Sequence, residues 1–148
     1  MMDPAHSCTI DADIHAIPAV SLALDKTMHS YGFSDEEILD TQLAVEEAIT
    51  NVIVHGYAKN PGKIQIIFRT SGNHAEILIE DTAPPFNPLL IPEPSITENV
   101  EDRKIGGLGI FLIRQVIDEI SYRYENGKNI LVLVKKKQVN SADNRLQG

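Results

Sequence analysis

Residues 34–57 read SDEEILDTQLAVEEAITNVIVHGY and predict the strongest helix of the chain. Ser34 is a favourable N-cap, and Glu37 stands three residues later, where its side chain can complete a capping box. An apolar pattern then continues without interruption to Val54, and Gly56 ends it. We therefore expect one long amphipathic helix whose apolar side is buried and whose other side can carry polar groups.

A polar stripe runs along this helix, because Glu47, Asn51 and His55 follow one another at four-residue steps. An α-helix turns by about 100° per residue, so Glu47 and Asn51 project only about 40° apart. The opposite side of the helix, where a sheet would cover it, carries Ile38, Val45, Ile49 and Val52. The polar pair itself is bordered by Leu43, Ala44 and Val54. A carboxylate and a carboxamide framed in this way predict a cleft.

The polar pair has an evident chemical use. The carboxamide oxygen of Asn51 is a hard ligand that suits Mg²⁺, and the carboxylate of Glu47 could orient or deprotonate a nucleophile one turn away. Glu and Asn are also common on helix surfaces, so the spacing alone is weak support for chemistry. His55 is more typical of a helix end, where its side chain favours the helix dipole.

A glycine-rich segment, Gly106-Gly107-Leu108-Gly109, opens a later helix. Glycines allow a backbone to approach a phosphate closely, and the first-turn amides of a helix favour an anion. The same composition also occurs in ordinary loops, and the segment lacks the GKS or GKT ending of a P-loop and the strand context of a GxGxxG fingerprint. The predicted apolar face of this helix consists of Leu108, Phe111, Leu112, Val116 and Ile117.

Asp81 is the third candidate, because it follows the apolar strand residues Ile77, Leu78 and Ile79 and precedes a loop that contains prolines. A buried carboxylate at a strand end needs hydrogen-bond donors, and the exocyclic amino group of adenine would be one. An aspartate that simply ends a strand in a turn explains the position equally well. The sequence pattern leaves both interpretations open.

The remaining segments predict an α and β arrangement. Two hairpins are expected, one with strands 63–70 and 74–80 and one with strands 120–124 and 129–135 that turns at Asn126-Gly127. An early edge strand over 8–17 and a helix over 18–29 precede the long helix. Prolines remove amide donors between the hairpins, so residues 82–105 predict an irregular segment that is either functional or disordered.

The composition limits the class of protein. The 148 residues, 43% of them apolar, suffice for one core. A net charge of −8 and a pI of about 5.0 disfavour a nucleic-acid-binding surface. The single Cys8 excludes an intrachain disulfide, and the lack of a basic leader or of about 18 consecutive apolar residues disfavours secretion and membrane spanning.

Three motifs in this order resemble those of the ATPase superfamily that includes gyrase, Hsp90, histidine kinases and MutL. Residues 47–57, EAITNVIVHGY, resemble its N box; residues 79–88, IEDTAPPFNP, its first glycine box; and residues 106–113, GGLGIFLI, its second. The EAxTNxxxHGY and GGLGxFLI forms are most similar to bacterial anti-sigma-factor serine kinases of the stress-response and sporulation type. The resemblance covers most of the chain, roughly from Ile10 to Lys137.

The resemblance implies a fold and a set of residue roles. The fold would be α+β, a two-layer sandwich over residues 7–138 whose mixed, mostly antiparallel sheet is covered on one face by helices, with flexible ends at 1–6 and 139–148. Asn51 would bind Mg²⁺ and Glu47 would be the general base. The nucleotide-binding residues would comprise Asn51, Asp81 on the adenine amino group, Ala83 and Phe86 beside the base, and Gly106, Gly107, Leu108 and Gly109 at the phosphates. The family usually has glycine where this chain has Ala83, which restricts positive φ there.

The resemblance also implies an activity and partners. The chain would be a cytoplasmic, homodimeric protein kinase that uses ATP and Mg²⁺ to phosphorylate serine or threonine on a small anti-anti-sigma protein with a STAS domain. It would sequester a sigma factor when that protein is unavailable, without direct contact with nucleic acid or membrane. The ATP lid would lie within residues 84–105, with Arg103 and Lys104 near the γ-phosphate or a partner. A nucleotide-dependent binding switch without phosphate transfer, and simple ATP hydrolysis, remain as alternatives.

Overall fold

A computed structural model describes residue 2, residues 4–90 and residues 107–138. The strands are β1 (His6–Asp11), β2 (Lys63–Thr70), β3 (His74–Asp81), β4 (Glu119–Glu125) and β5 (Lys128–Lys136). The α-helices are α1 (Ile17–Ser30), α2 (Asp35–Asn51) and α3 (Gly107–Val116). The predicted end 139–148, Gly106 and all but the first part of the predicted lid lie outside the described residues.

The strands form one five-stranded sheet in the order β1-β2-β3-β5-β4. Every described pairing is antiparallel, and both predicted hairpins are present. The register places Asp81 opposite Ile64 on one side and opposite Asn129 on the other. The end of β3 and the beginnings of β2 and β5 therefore lie side by side at the same end of the sheet's strands.

The predicted capping box begins α2. The Ser34 hydroxyl accepts from the Glu37 amide at 3.1 Å, and the Glu37 carboxylate accepts from the Ser34 amide at 2.8 Å. The regular helix ends at Asn51, and a π-helical turn, Val52–Gly56, continues it to the predicted end. His55 lies in this turn, so the four-residue steps of the polar stripe are interrupted after Asn51.

The core lies between the helices and one face of the sheet. Its buried side chains come from α1, α2, α3 and alternate positions of the central strands, and include Leu24, Met28, Ile38, Val45, Ile49, Ile64, Ile66, Phe68, Ile77, Ile79 and Leu133. Each large apolar side chain buried in this way contributes about 1.5–3 kcal/mol. The two-layer α+β fold expected from the resemblance is confirmed. No helix in the described part of the chain is long and apolar enough to cross a bilayer.

The predicted apolar face of α3 was partly wrong. Ile110 and Ile113 are buried at 2% and 0% exposure together with Ile117, whereas Phe111 and Leu112 are only partly buried. The sequence GIFLI is apolar on every side of a helix, so its periodicity cannot identify the buried face. The packing of α3 against α2 decides it.

The predicted edge strand over 8–17 was also wrong in its extent. β1 begins at His6 and ends at Asp11. The carboxylate of Asp13 accepts from the amide of His15 at 2.9 Å and starts a 3₁₀ turn, Ile14–Ala16, that leads directly into α1. A side chain that hydrogen-bonds its own backbone in this way competes with continuation of the strand.

Candidate functional site

Asn51 is the most unusual polar residue of α2. It is 1% exposed, and neither Oδ1 nor Nδ2 of its carboxamide has a hydrogen-bond partner in the described part of the chain. Buried side-chain amides are nearly always hydrogen-bonded, and an unsatisfied one costs about 1–3 kcal/mol. The carboxamide is therefore free to bind a group that the described residues do not supply.

The glycine-rich start of α3 lies against this part of α2. A Cβ atom added at Gly109 would lie 2.8 Å from Glu47 Oε2 and 3.6 Å from Asn51 Nδ2. Any side chain at position 109 would therefore displace the Glu47 carboxylate. Two motifs that are about 60 residues apart in the chain meet here, and the first turn of α3, which begins at Gly107, is brought beside the polar pair.

Burial raises the pKa of the Glu47 carboxyl, and the neighbouring charge of Glu46 raises it further. The Glu46 carboxylate itself accepts a hydrogen bond from the Ser21 hydroxyl at 2.6 Å. A carboxylate whose pKa is raised is a stronger base, and proton transfer is most efficient when that pKa lies nearer the working pH. The position of Glu47 therefore suits a general base.

The donor set of this end fits one Mg²⁺ ion held mainly by phosphates and water. The described residues contain no cluster of three His, Cys, Asp or Glu side chains that would bind a metal ion by itself. Mg²⁺ in nucleotide sites is usually bound through only one or two protein oxygens. Oδ1 of Asn51, which has no partner among the described residues, would be one such oxygen.

Asp81 ends β3 at the other end of the cleft and is 6% exposed. Its Oδ1 accepts from the Ala83 amide at 2.9 Å and from Asn129 Nδ2 at 2.9 Å. Burial raises the pKa of the Asp81 carboxyl, and these two hydrogen bonds act in the opposite direction. Asp81 is thus both a residue of a turn and a buried carboxylate facing a cleft, so the two sequence interpretations do not exclude each other.

Ala83 fits its position without the conformational freedom of glycine. The non-glycine residues with positive φ in the described part of the chain are Ala58, Lys59 and Asn126, and Ala83 is not among them. Its methyl group lies 3.5 Å from where a Cβ of Gly56 would stand. Even a side chain at position 56 would therefore only contact this methyl group and would not clash with it.

A small cavity joins the two ends of the cleft. Its lining includes Asn51, Asp81 and Phe86, together with Tyr122 and Asn129. The cavity volume is about 20 Å³, which is enough for one water molecule. The structure thus brings the predicted residues of the N box and first glycine box together, around a space smaller than a purine base.

The side chains of Phe86 and Tyr57 make contacts between the N box and the first glycine box. The Phe86 ring stacks on the His55 ring with centroids 5.8 Å apart. The Tyr57 hydroxyl donates to the Lys63 carbonyl at 2.6 Å and accepts from the Thr82 amide at 3.0 Å, so it ties the end of the N box to the end of β3.

Sequence reasoning assigned no role to Asn129 and Tyr122, although both line the cavity. Asn129 is 4% exposed and stands at the beginning of the apolar run 130–134 in β5. A polar residue that opens such a run was the available signal. Its partners cannot be found from local sequence, because Asp81 lies far away in the chain.

A larger groove of about 1020 Å³ lies elsewhere, lined by residues such as Asp13, Ile14, Thr50, Val54 and Lys59. It contains none of the predicted site residues. The small cavity is the better candidate because buried polar groups converge on it, and convergent polar groups characterise binding sites more than volume does.

Comparison with known proteins agrees with this geometry. Residues 10–135 match the family described as histidine kinase-like ATPase domain. The serine-protein kinase RsbW of Staphylococcus epidermidis is 30% identical over 146 residues, which cover 93% of this chain and 92% of that protein. The serine-protein kinase RsbW of Bacillus thuringiensis (strain Al Hakam) is 27% identical over 141 residues, covering 91% and 88%.

Among solved structures, the RsbU and RsbW domains of Rv1364c from Mycobacterium tuberculosis align with a TM-score of 0.65 and 19% identity. The match covers 91% of this chain and 32% of that longer one, and it shows the same fold. The family match extends over all three motifs and over every strand except the beginning of β1 and the end of β5. The chain belongs to the histidine kinase-like ATPase domain family.

Proposed function

We propose that this chain is an ATP-dependent serine/threonine protein kinase that acts as an anti-sigma factor. Its protein substrate is an anti-anti-sigma protein with a STAS domain, and its second partner is a sigma factor that it sequesters. The observation that carries the proposal is the buried, unpartnered carboxamide of Asn51 beside Glu47 and Gly109. The similarity to serine-protein kinases named RsbW along nearly the whole chain supports it.

Phosphoryl transfer requires alignment, charge neutralisation and a base. Glu47 accepts the proton of the incoming serine or threonine hydroxyl, the freed oxygen bonds to the γ-phosphorus, and the bond from that phosphorus to the β-γ bridging oxygen breaks to release ADP. Asn51 Oδ1 would hold the Mg²⁺ ion, which would supply positive charge to the phosphates. The amides of Gly107, Leu108 and Gly109 at the start of α3 bind phosphate oxygens, with Gly106 preceding them.

The adenine ring lies at the β3 end of the cleft. There Asp81 accepts a hydrogen bond from the adenine amino group, and Ala83 and Phe86 border the ring. The cavity of about 20 Å³ is too small for adenine, so the residues around Phe86 move when the nucleotide enters. A segment that moves on nucleotide binding also connects the site to partner proteins. The protein acts in the cytoplasm as a homodimer and, with a net charge of −8, meets protein partners rather than nucleic acid.

The direct test is transfer of ³²P from [γ-³²P]ATP to a STAS-domain protein encoded near this chain. Glu47→Gln should lower the transfer rate by about 10²- to 10⁴-fold, because the base is lost, while ATP affinity measured by calorimetry stays within a few fold. Glu36→Gln is the matched control, since it removes the same charge from α2 but Glu36 is exposed in the first turn of that helix. This control should transfer phosphate at nearly the normal rate.

Other outcomes separate the alternatives. Unchanged transfer in Glu47→Gln would remove this residue from the role of base. ATP-dependent partner binding without transfer would identify a binding switch, and phosphate release without any acceptor would identify an ATPase. Absence of ATP binding in the unsubstituted protein would refute the nucleotide site as a whole.

A further inference from the structure

Asn129 lies at the centre of the β3 end of the cleft, where adenine is proposed to bind. It is the second residue of β5 and the Cα partner of Asp81 in the antiparallel register. Its Nδ2 donates to Asp81 Oδ1 at 2.9 Å, to the Ala83 carbonyl at 3.0 Å and to the Pro84 carbonyl at 3.2 Å. One side-chain nitrogen thus holds both the carboxylate and the loop that follows it.

The oxygen of the same carboxamide binds two further groups. Asn129 Oδ1 accepts from the Phe86 amide at 3.0 Å and from the Tyr122 hydroxyl. A carboxamide carries a donor and an acceptor on one rigid plane, which neither a carboxylate nor an apolar side chain can reproduce. The arrangement therefore requires a side-chain carboxamide, which asparagine supplies here.

The loop after β3 depends on such an external partner. Pro84 and Pro85 have no amide hydrogen, so the loop cannot form a regular ladder of its own. Asn129 instead bonds to the carbonyls of Ala83 and Pro84 and to the amide of Phe86. The position of Phe86 beside the cavity is thus coupled to the orientation of Asp81 through one side chain.

We infer that Asn129 is the positioning residue for recognition of the base, an inference that rests on the proposed nucleotide-binding function. Oδ1 of Asp81 receives its hydrogen bonds from Asn129 and Ala83. The carboxylate is held in one orientation, and its second oxygen is directed to an amino group of the ligand. The terminal torsion of a free aspartate is broad, so this restraint lowers the entropy lost on binding.

A merely structural role would have a different signature. Loss of a buried hydrogen-bond network lowers the stability of the fold, and it weakens every nucleotide to a similar degree. Loss of the orientation of Asp81 weakens only a base that offers an amino group to it. Comparison of ATP with ITP tests this contact, because inosine carries an oxo group where adenine carries the amino group, together with an N1–H donor in place of the N1 acceptor.

The test measures the dissociation constants of ATP and ITP with Mg²⁺ for the full chain by calorimetry. Asn129→Ala should weaken ATP about 10-fold or more and ITP less than about 3-fold, so that the preference for ATP disappears. Asn129→Asp has nearly the same shape, but it loses the donor and places a charge against Asp81, so it should lose the preference too. Thermal melts of each variant report whether it is folded.

Thr70→Val is the matched control. Thr70 is 1% exposed and its hydroxyl donates to the His74 carbonyl at 2.9 Å, at the opposite end of the sheet from Asn129. This variant should lose stability while it keeps the ratio of ATP to ITP affinity. An equal loss of both nucleotides in Asn129→Ala, or an unchanged ratio, would overturn the inference.

The remaining outcomes are also decisive. If neither Asn129 variant folds, the residue belongs to the fold and not to recognition, and the inference fails. If the unsubstituted protein binds ATP and ITP equally, Asp81 does not distinguish the amino group and the inference fails as well. If it binds neither nucleotide, the proposed function fails first, so the two failures can be told apart.

Discussion

The two ends of the cleft treat their buried polar groups in opposite ways. At the α2 end, the Asn51 carboxamide is 1% exposed and has no partner among the described residues, and the carboxylate of Glu47 beside it has a raised pKa. At the β3 end, Asp81 and Asn129 are buried as well, but they bond to each other and to the loop that follows β3. The α2 end thus has a buried side chain without a partner among the described residues, and the β3 end holds its side chains in a hydrogen-bond network.

The difference indicates how binding energy is distributed. An unsatisfied buried amide costs about 1–3 kcal/mol, and a ligand that satisfies it returns that free energy. Among the described residues, the β3 end has no buried side-chain atom without a partner that could return such free energy. The cavity of about 20 Å³ between the two ends also has to open before adenine can enter. We expect the phosphate and metal end to supply most of the affinity and the base end to supply selectivity.

The largest expected effect comes from filling the unsatisfied end. Asn51→Leu should weaken Mg·ATP binding by about 100-fold or more, because the proposed metal ligand is lost. It should also raise the free energy of unfolding of the ligand-free protein by about 1 kcal/mol, because an unpaired buried amide is replaced by an apolar group of similar shape. Calorimetry and urea denaturation measure the two quantities.

Thr41→Val is the control on the same helix. Thr41 is fully buried, but its hydroxyl donates to the Glu37 carbonyl at 2.8 Å, so its removal should not stabilise the protein. A loss of stability in Asn51→Leu that equals the loss in Thr41→Val would show that the Asn51 amide is satisfied in solution. The contrast between the two ends of the cleft would then disappear.

An intermediate effect is expected at the contact between α3 and α2. In Gly109→Ala the new methyl group would stand 2.8 Å from Glu47 Oε2, so the carboxylate must move. Stability should change by less than about 1 kcal/mol, because alanine is a good helix former and the end of a glutamate side chain is flexible. Phosphate transfer should fall about 10- to 100-fold, because the base is displaced.

Arg114→Ala serves as the comparison for that variant. Arg114 lies on α3 but is exposed, away from the polar pair. Its rate of transfer should remain normal in the same ³²P assay. Transfer at the normal rate in Gly109→Ala would show that the approach of α3 to Glu47 does not matter for the reaction.

The smallest expected effect is a pH-dependent gain in stability from Glu47→Gln. The pKa of Glu47 is raised above its ordinary value of 4.5 in the folded protein, so the native state binds this proton more tightly than the unfolded state. The resulting stability is present below the unfolded pKa and is lost as pH rises through the folded pKa. The glutamine variant avoids this loss, so it should be more stable by under about 1 kcal/mol near pH 8.

Urea denaturation at a series of pH values checks this expectation. The difference between Glu47→Gln and the unsubstituted protein should shrink as pH falls and vanish below about 4.5, where both the folded and the unfolded carboxyl are protonated. A difference that does not change with pH would mean that burial of the Glu47 charge is not its cause.

The elements were predictable where their signals are local. The capping box of Ser34 and Glu37 and the turn at Asn126-Gly127 involve residues within a few positions of each other, and both appear as expected. The strand over 8–17 was misjudged because Asp13 makes a local hydrogen bond that ends regular structure. The buried face of α3 was misjudged because its residues are apolar on all sides.

The candidate site divides in the same manner. The sequence motifs predicted Glu47, Asn51 and Asp81 as site residues. The structure places Asn51 and Asp81 at one cavity with Phe86. Asn129 could not be predicted as a site residue, because its role depends on its pairing with Asp81 across β3 and β5. The lack of a hydrogen-bond partner for Asn51 among the described residues could not be predicted either, since a helical spacing gives direction but not burial.

Capping, turn chemistry and periodicity are short-range properties, so the order of residues was enough to establish the helices, the hairpins and the sequence of motifs. The meeting of Gly109 with Glu47, and of Asn129 with Asp81, depends on which strands pair and which helices pack together. Those choices minimise the free energy of the whole core rather than of any one segment. The fold therefore decided which buried polar group found a partner among the described residues and which did not.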